Sequence, residues 1–266
     1  MKYTEEEFST LLDVLANDLL DANHHYRLYN NLLDALNKYE YEINTHIGFW
    51  GLTLDAHYSG CLLCLCRAYD NNREGTLSLK NLLEIIQGNT NIFDIEKFKE
   101  RLNKNPYVDR LAQSSRKPNE EQIKKDIEFV SNTNPLVKKL SKLRGSHIAH
   151  RNTKVIFKGT VDPDQLTSKE VEQLINTGLH IFNNYRQLFE ASTHSSMLIG
   201  ENHYQDVLKH IRIGRKAIKF ITDVKNESQI KGGFLEPNDT TNKVFKFIND
   251  VQQDLYPDYY NNTPRQ

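Results

Sequence analysis

Between Lys138 and Lys154 the chain reads KKLSKLRGSHIAHRNTK, and Arg144, His147, His150 and Arg151 fall within eight positions. These residue types suit one chemistry in particular. An imidazole near its working pKa takes and gives a proton at neutral pH, and a guanidinium offers a planar, permanently charged fork to phosphate oxygens. Together they can cleave RNA without a metal. A base removes the proton of a ribose 2′-OH, and the freed oxygen attacks the adjacent phosphorus. A cation stabilises the charge on the non-bridging oxygens, and the leaving 5′-oxygen takes up a proton. The surrounding sequence is acid-free: from Phe129 to Val161 there is no Asp or Glu, while Lys138, Lys139, Lys142, Arg144, Arg151, Lys154 and Lys158 supply seven positive charges. Part of this concentration has a structural motive, because cations near a helix C-terminus complement the macrodipole.

The spacing constrains how such a site could assemble. Arg144 and His150 are six residues apart, which is about 240° of rotation on a straight helix. They converge only where the helix ends or distorts between them, as at Gly145, or where a second subunit brings its own pair alongside. His147 lies three residues from each and is the closer helical neighbour. His147, Arg151, Lys142 and Lys154 are candidate RNA contacts around the pair.

Other groupings are weaker. His57, Cys61 and Cys64, spaced by four and three, put three zinc-ligand types on one helical face. No partner pair with metal spacing occurs elsewhere, so Cys61, Cys64 and Cys66 read as small core residues, and neither metal nor cofactor is expected. The stretch DNNREGTLSLKN places Asp70, Asn72, Glu74 and Gly75 at calcium-loop positions but has Asn81 where a bidentate Glu belongs; it reads as a polar turn before a helix. His24 and His25 read as part of a solvated face. The cations Lys209, Arg212, Arg215, Lys216 and Lys219 form a basic helix that is either an RNA surface or a solvated face. Gly-rich loops of the Walker or dinucleotide type are absent, which argues against a nucleotide-driven enzyme of those folds.

With a formal net charge of −1 and a pI near 6.8, the protein is not uniformly basic, and a polyanion would have to be met by a local patch. Three cysteines crowded into one apolar run make a poor disulfide framework and suit a reducing cytosol. The first residues, MKYTEEEFST, are acidic where a signal peptide is basic and then apolar. No apolar run approaches the roughly 18 residues of a membrane span. The expectation is a cytoplasmic protein with no membrane partner.

The elements that must position the basic segment are helical. Only 12 Gly and 7 Pro occur in 266 residues, and apolar residues recur at three and four over long stretches, so the fold class is mainly α. Thr4 with Glu7 forms a capping box ahead of FSTLLDVLANDLL, and the pattern runs to about His46 as one long helix or as two with a break near Asn23. GFWGLTLDAHYSGCLLCLCRAYD reads as a strongly buried second helix, followed by SLKNLLEIIQ. Shorter helices fall on DIEKFKERLNK, after Pro106, and on NEEQIKKDIEFV with Asn119 as cap. Asn134 and Pro135 start the helix carrying the basic segment, which is expected to stop near His150. VIFKGTVDPDQLT is a connection with a short extended piece at Val155 to Phe157. Thr167 and Glu170 launch SKEVEQLINTGLHIFNNYRQLFEA. After Ser192 a linker-like STHSSMLIGEN leads to the basic helix and to NKVFKFINDVQQDLYP. The expected organisation is a helical domain over residues 1–192 and a C-terminal helical extension over 193–266.

RGSHIAH resembles the signature of the HEPN superfamily, an Arg and a His separated by four to six residues. The blocks FWGLTLDAHYSGCLLCLCRAYDNNREGTLSLKNLLEII, LSKLRGSHIAHRNTKVIF and LTSKEVEQLINTGLHIFNNYRQLF resemble, in order, those of the HEPN-like family associated with U-type abortive-infection phage defence. The resemblance covers about residues 10 to 190. It implies a HEPN-like helical bundle that dimerises, with Arg and His of each subunit facing a shared cleft. It also implies a metal-independent endoribonuclease leaving a 2′,3′-cyclic phosphate and a 5′-hydroxyl. Carried onto this chain, Arg144 would hold and polarise the scissile phosphate and His150 would be the general base or acid. RNA and a second copy are the implied partners, and an antitoxin or another defence component fits that role. Active members often carry a polar residue directly after the Arg. Gly145 stands there in this chain, which keeps a non-catalytic helical module that binds RNA or protein as the alternative.

Overall fold

The computed structural model describes residues 3–71, 75–144, 165–230 and 237–255. Every regular element among them is helical: α1 Glu5–Lys38, α2 Glu40–Thr45, α3 Ile47–Ala68, α4 Leu79–Gly88, a 3-10 turn Thr90–Phe93, α5 Ile95–Arg101, α6 Val108–Leu111, α7 Glu120–Val130, α8 Pro135–Leu143, α9 Ser168–Glu190, α10 His203–Ile230 and α11 Pro237–Leu255. This is the mainly α fold that the apolar spacing predicts. The extended piece expected at Val155 to Phe157 lies outside the described residues.

By contacts the chain divides into two units, one of Met1–Tyr29 with Asp55–Ile199 and one of Asn30–Leu54 with Gly200–Gln266. The division falls inside α1 and inside α3, so residues 30–54 belong with the C-terminal helices. In the first unit, α1 presents Phe8, Leu12, Leu15, Leu19, Ala22 and Tyr26 to the core, a stripe repeating at four and three that faces one side of a helix. Cys61 and Leu65 of α3, Leu82 and Ile86 of α4, Val137 and Leu140 of α8, and Leu174 and Phe182 of α9 close over it. Helix α9 approaches so near that a Cβ on Gly178 would come within 2.9 Å of the Tyr69 hydroxyl and 3.0 Å of Leu19. The Tyr69 hydroxyl donates to the Leu174 carbonyl at 2.7 Å.

Helix starts follow the side chains that suit them. Thr4 and Glu7 make a reciprocal capping box, the Glu7 carboxylate accepting from the Thr4 N–H at 2.8 Å and the Thr4 hydroxyl from the Glu7 N–H at 3.2 Å. Asn119 and Asn134 each accept from the first turn of the helix that follows, satisfying donors that the helix itself cannot.

Three expectations change. Of the two alternatives for the first helical stretch the structure has two helices, but the interruption comes at buried Tyr39 and not at Asn23, whose amide is turned inward and donates to the Ser196 carbonyl at 2.7 Å. Helix α3 is buried continuously only towards its C-terminal end; near its start Trp50 is buried while Ile47, Phe49 and Leu52 are exposed, because apolar residues run around this end and only one side is covered. The linker-like stretch after Ser192 is pinned to α9, with the Asn183 amide and the His194 backbone exchanging hydrogen bonds at 3.0 and 2.9 Å.

In the second unit Leu32, Ala35, Tyr39, Ile43, Trp50 and Leu208 form the buried group. Helix α10 packs against α2 and α11.

Candidate functional site

Arg144 is the C-cap residue of α8, its N–H donating to the Leu140 and Ser141 carbonyls. Val137, Leu140 and Leu143 are the buried positions of that helix. Arg144 follows Leu140 by four and Val137 by seven, so it leaves α8 on the core-facing side, while Lys138 and Lys142 are exposed.

The guanidinium reaches the segment that follows α3. Its Nη1 lies 2.7 Å from Oδ2 of Asp70, with 27% of the Arg144 side chain and 6% of the Asp70 side chain exposed. A buried carboxylate gripping a mostly buried guanidinium fixes the plane of that fork far better than a surface pair would. The guanidinium has five N–H donors, so the pair leaves donors for a phosphate. Asn71 holds the same segment in place, its amide donating to the carbonyls of Tyr69 at 3.0 Å and Val130 at 2.8 Å. Cys66 sits in the field of both charges. Burial pushes its thiol up to about 12, with Arg144 opposing and Asp70 adding to the rise, so it is a neutral wall and not a nucleophile.

The basic segment is braced from the other side as well. Lys139 Nζ donates to both carboxylate oxygens of Glu170 at 2.8 and 2.7 Å. Glu170 meanwhile accepts from the Thr167 N–H at 2.7 Å as half of the capping box of α9. Lys139 is therefore structural. Its hydrogen bond, followed by that from Thr167, holds the Glu170 carboxyl below its usual range.

Of the sequence-predicted site residues, Arg144 and Lys142 are placed; His147, His150, Arg151 and Lys154 lie outside the described residues, as does the expected helix end near His150. Asp70 is the site residue that sequence reasoning missed. It drew notice only as the first position of a calcium-like turn, and its partner is far along the chain, where spacing carries no trace of it.

His25 and His57 depart from expectation too. Their Nδ1 atoms are 2.9 Å apart, so one ring donates and the other accepts a single shared proton. His25 is half-buried against α3 rather than on a solvated face, and a Cβ at Gly60 would come within 2.9 Å of its Nε2. Burial, then the neighbouring His25, hold His57 below the usual imidazole value. His57 thus turns to His25 and not to the cysteines, which are free and buried in the core as expected. No group of three or more His, Cys, Asp or Glu side chains among the described residues could hold a metal ion.

In the second unit the basic face of α10 is largely engaged. Arg212 donates to both carboxylate oxygens of Glu42 at 3.1 Å and to the Lys38 carbonyl at 2.6 Å, and it lies 4.6 Å from the centre of the Tyr39 ring. Burial raises the Glu42 carboxyl, but the Arg212 hydrogen bond and the charges of Arg212 and Arg215 outweigh it and leave the group below its usual range. Among the described residues no helix is long and apolar enough to cross a membrane.

The family model HEPN_AbiU2, described as AbiU2, matches residues 5–210. No curated protein and no solved structure matches the chain.

Proposed function

Since the chain belongs to the AbiU2 family of HEPN domains, we propose that it acts in abortive infection as a metal-independent endoribonuclease, with Arg144 and His150 of two copies facing a shared cleft. The observation that carries this reading is the Arg144–Asp70 pair, which orients the guanidinium of the Arg–His signature at the end of α8. In the proposed reaction Arg144 binds the non-bridging oxygens of the scissile phosphate. His150 removes the 2′-OH proton or protonates the leaving 5′-oxygen, and His147, Arg151, Lys142 and Lys154 hold flanking phosphates. An antitoxin or other defence partner would restrain the activity.

The test is cleavage of RNA by purified protein in EDTA, with end-group analysis for a 2′,3′-cyclic phosphate. His150→Ala is expected to lower the rate by about 10²- to 10⁴-fold with helicity unchanged. Equal cleavage by that variant would sink the assignment.

A second reading, a non-catalytic module that binds RNA or protein through the same segment, is favoured by Gly145 directly after Arg144 and by Asp70 already occupying part of the fork. It predicts salt-sensitive RNA binding without cleavage.

A further inference from the structure

The second unit contains a cleft of about 980 Å³ walled by α10 and α11, with Tyr41 at its edge. Apart from Tyr41, its walls come from residues 215 onward, beyond the stretch that the family match covers. Five cations line it, Arg215, Lys216 and Lys219 on α10 and Lys243 and Lys246 on α11, against the two carboxylates of Asp223 and Asp250. Three of the cations are already paired: Arg215 with Glu42 at 3.6 Å, Lys216 with Asp254 at 2.7 Å, and Lys243 with Glu227. Lys219 and Lys246 are exposed and make no ion pair among the described residues, although Asp223 and Asp250 follow them by four positions.

Rings lie between these cations. Phe220 and Phe247 stack on each other with centroids 4.9 Å apart and planes 17° from parallel, closing the cleft with an apolar surface. Tyr41 is exposed, and the Arg215 guanidinium sits 3.7 Å from its ring centre.

We propose that this cleft binds a single-stranded nucleic acid, with backbone phosphates on Lys219 and Lys246 and a base against Tyr41. The two lysines without an ion pair and the exposed Tyr41 ring offer one contact to each half of such a ligand, since charge tracks the phosphates and every base has a face to stack. An anionic bilayer fits less well. An interfacial helix separates its charged and apolar faces, whereas here Ile218 and Phe220 lie in the same cleft as the lysines. The assignment is independent of cleavage at Arg144.

The full chain carrying His150→Ala, which removes the proposed cleavage, is titrated with a fluorescein-labelled oligouridylate and with oligodeoxythymidylate between about 50 and 200 mM salt. Binding of either is expected, weakening as salt rises. In Lys219→Ala/Lys246→Ala the affinity should fall, and the slope of log affinity against log salt should become shallower by about 1.4, from roughly 0.7 for each lost single-strand phosphate contact. The Lys→Arg pair should retain both. Both lysines are exposed, so an unchanged circular dichroism spectrum would separate a lost contact from a lost fold. Affinity and slope unchanged in the alanine pair, no binding of either oligomer, or binding only to phosphatidylserine vesicles would each overturn the assignment.

Discussion

In the first unit Phe8, Leu15, Leu19, Leu65, Leu83 and Phe182 are wholly excluded from solvent, and the apolar stripes of α1, α4, α8 and α9 meet one another. The second unit has the same helical periodicity but buries a smaller group, with the Glu42 carboxylate only 2% exposed beside it. The Trp50 indole N–H there is buried without a hydrogen-bond partner among the described residues, and Ile218, Ile221, Phe245 and Ile248 are exposed. Periodicity alone makes helices in both places; what differs is whether apolar faces find each other. Where they do, the fold is held by burial and can support a fixed site. Where they do not, it leans on the Glu42–Arg212 ion pair and leaves apolar side chains exposed.

The sharpest way to break this contrast is to remove core volume from the first unit. Phe182→Ala should cost roughly 3–5 kcal/mol, read from the denaturation midpoint with the slope unchanged. A loss below about 1 kcal/mol would mean that the unit is not held by its apolar core.

The second unit should respond instead to charge. Arg212→Ala leaves Glu42 buried with only the more distant Arg215 at 3.6 Å, and the expected cost is about 3 kcal/mol, confined in hydrogen exchange to amides of α2 and α10. Because the folded Glu42 value lies below its ordinary 4.5, the stabilisation is present above pH 4.5 and is lost as the pH falls through the folded value. Exchange in these helices should accelerate over that acid range in the wild type and show little of that change in Glu42→Gln. Equal acid sensitivity in both proteins would remove the ion pair from the account.

How much of this could be read beforehand depends on distance along the chain. The caps at Asn119, Asn134 and Thr167 are local, set by side chains two or three residues from the donors they satisfy, and they were legible. The inward aim of Arg144 agrees with its spacing to Val137 and Leu140 but was not drawn from the sequence. The inward turn of the Asn23 amide was not legible, since its partner is the distant Ser196, and neither was the fate of the α10 cations, decided by Glu42 and Asp254. Asp70 and the His25–His57 contact belong with these: pairs distant in sequence leave no period to detect.

Asp70 lets the same contrast be tested at the candidate site. Asp70→Asn keeps the shape but removes the charge that fixes the Arg144 fork. The expected cost is about 1–3 kcal/mol, along with a fall in the proposed RNA cleavage that added salt does not mimic. Unchanged cleavage would make the pair structural only.

The smallest effect should show whether the first unit passes its rigidity to the site. Thr4→Ala and Thr167→Ala each remove the hydroxyl half of a capping box and should each cost about 1 kcal/mol, but their reach should differ. The Thr4 box ends with Glu7, and its loss should fray the start of α1. The Thr167 box shares Glu170 with Lys139 of α8, the helix that ends in Arg144. Losing it loosens a carboxylate that two elements use, so exchange should quicken in α8 as well as in the first turn of α9. A double-mutant cycle with Lys139→Ala should then give a coupling energy of about 0.5 kcal/mol or more for Thr167, and close to zero for Thr4. If the two boxes behave alike, the brace between α8 and α9 does not help to position Arg144, and Asp70 alone holds the fork.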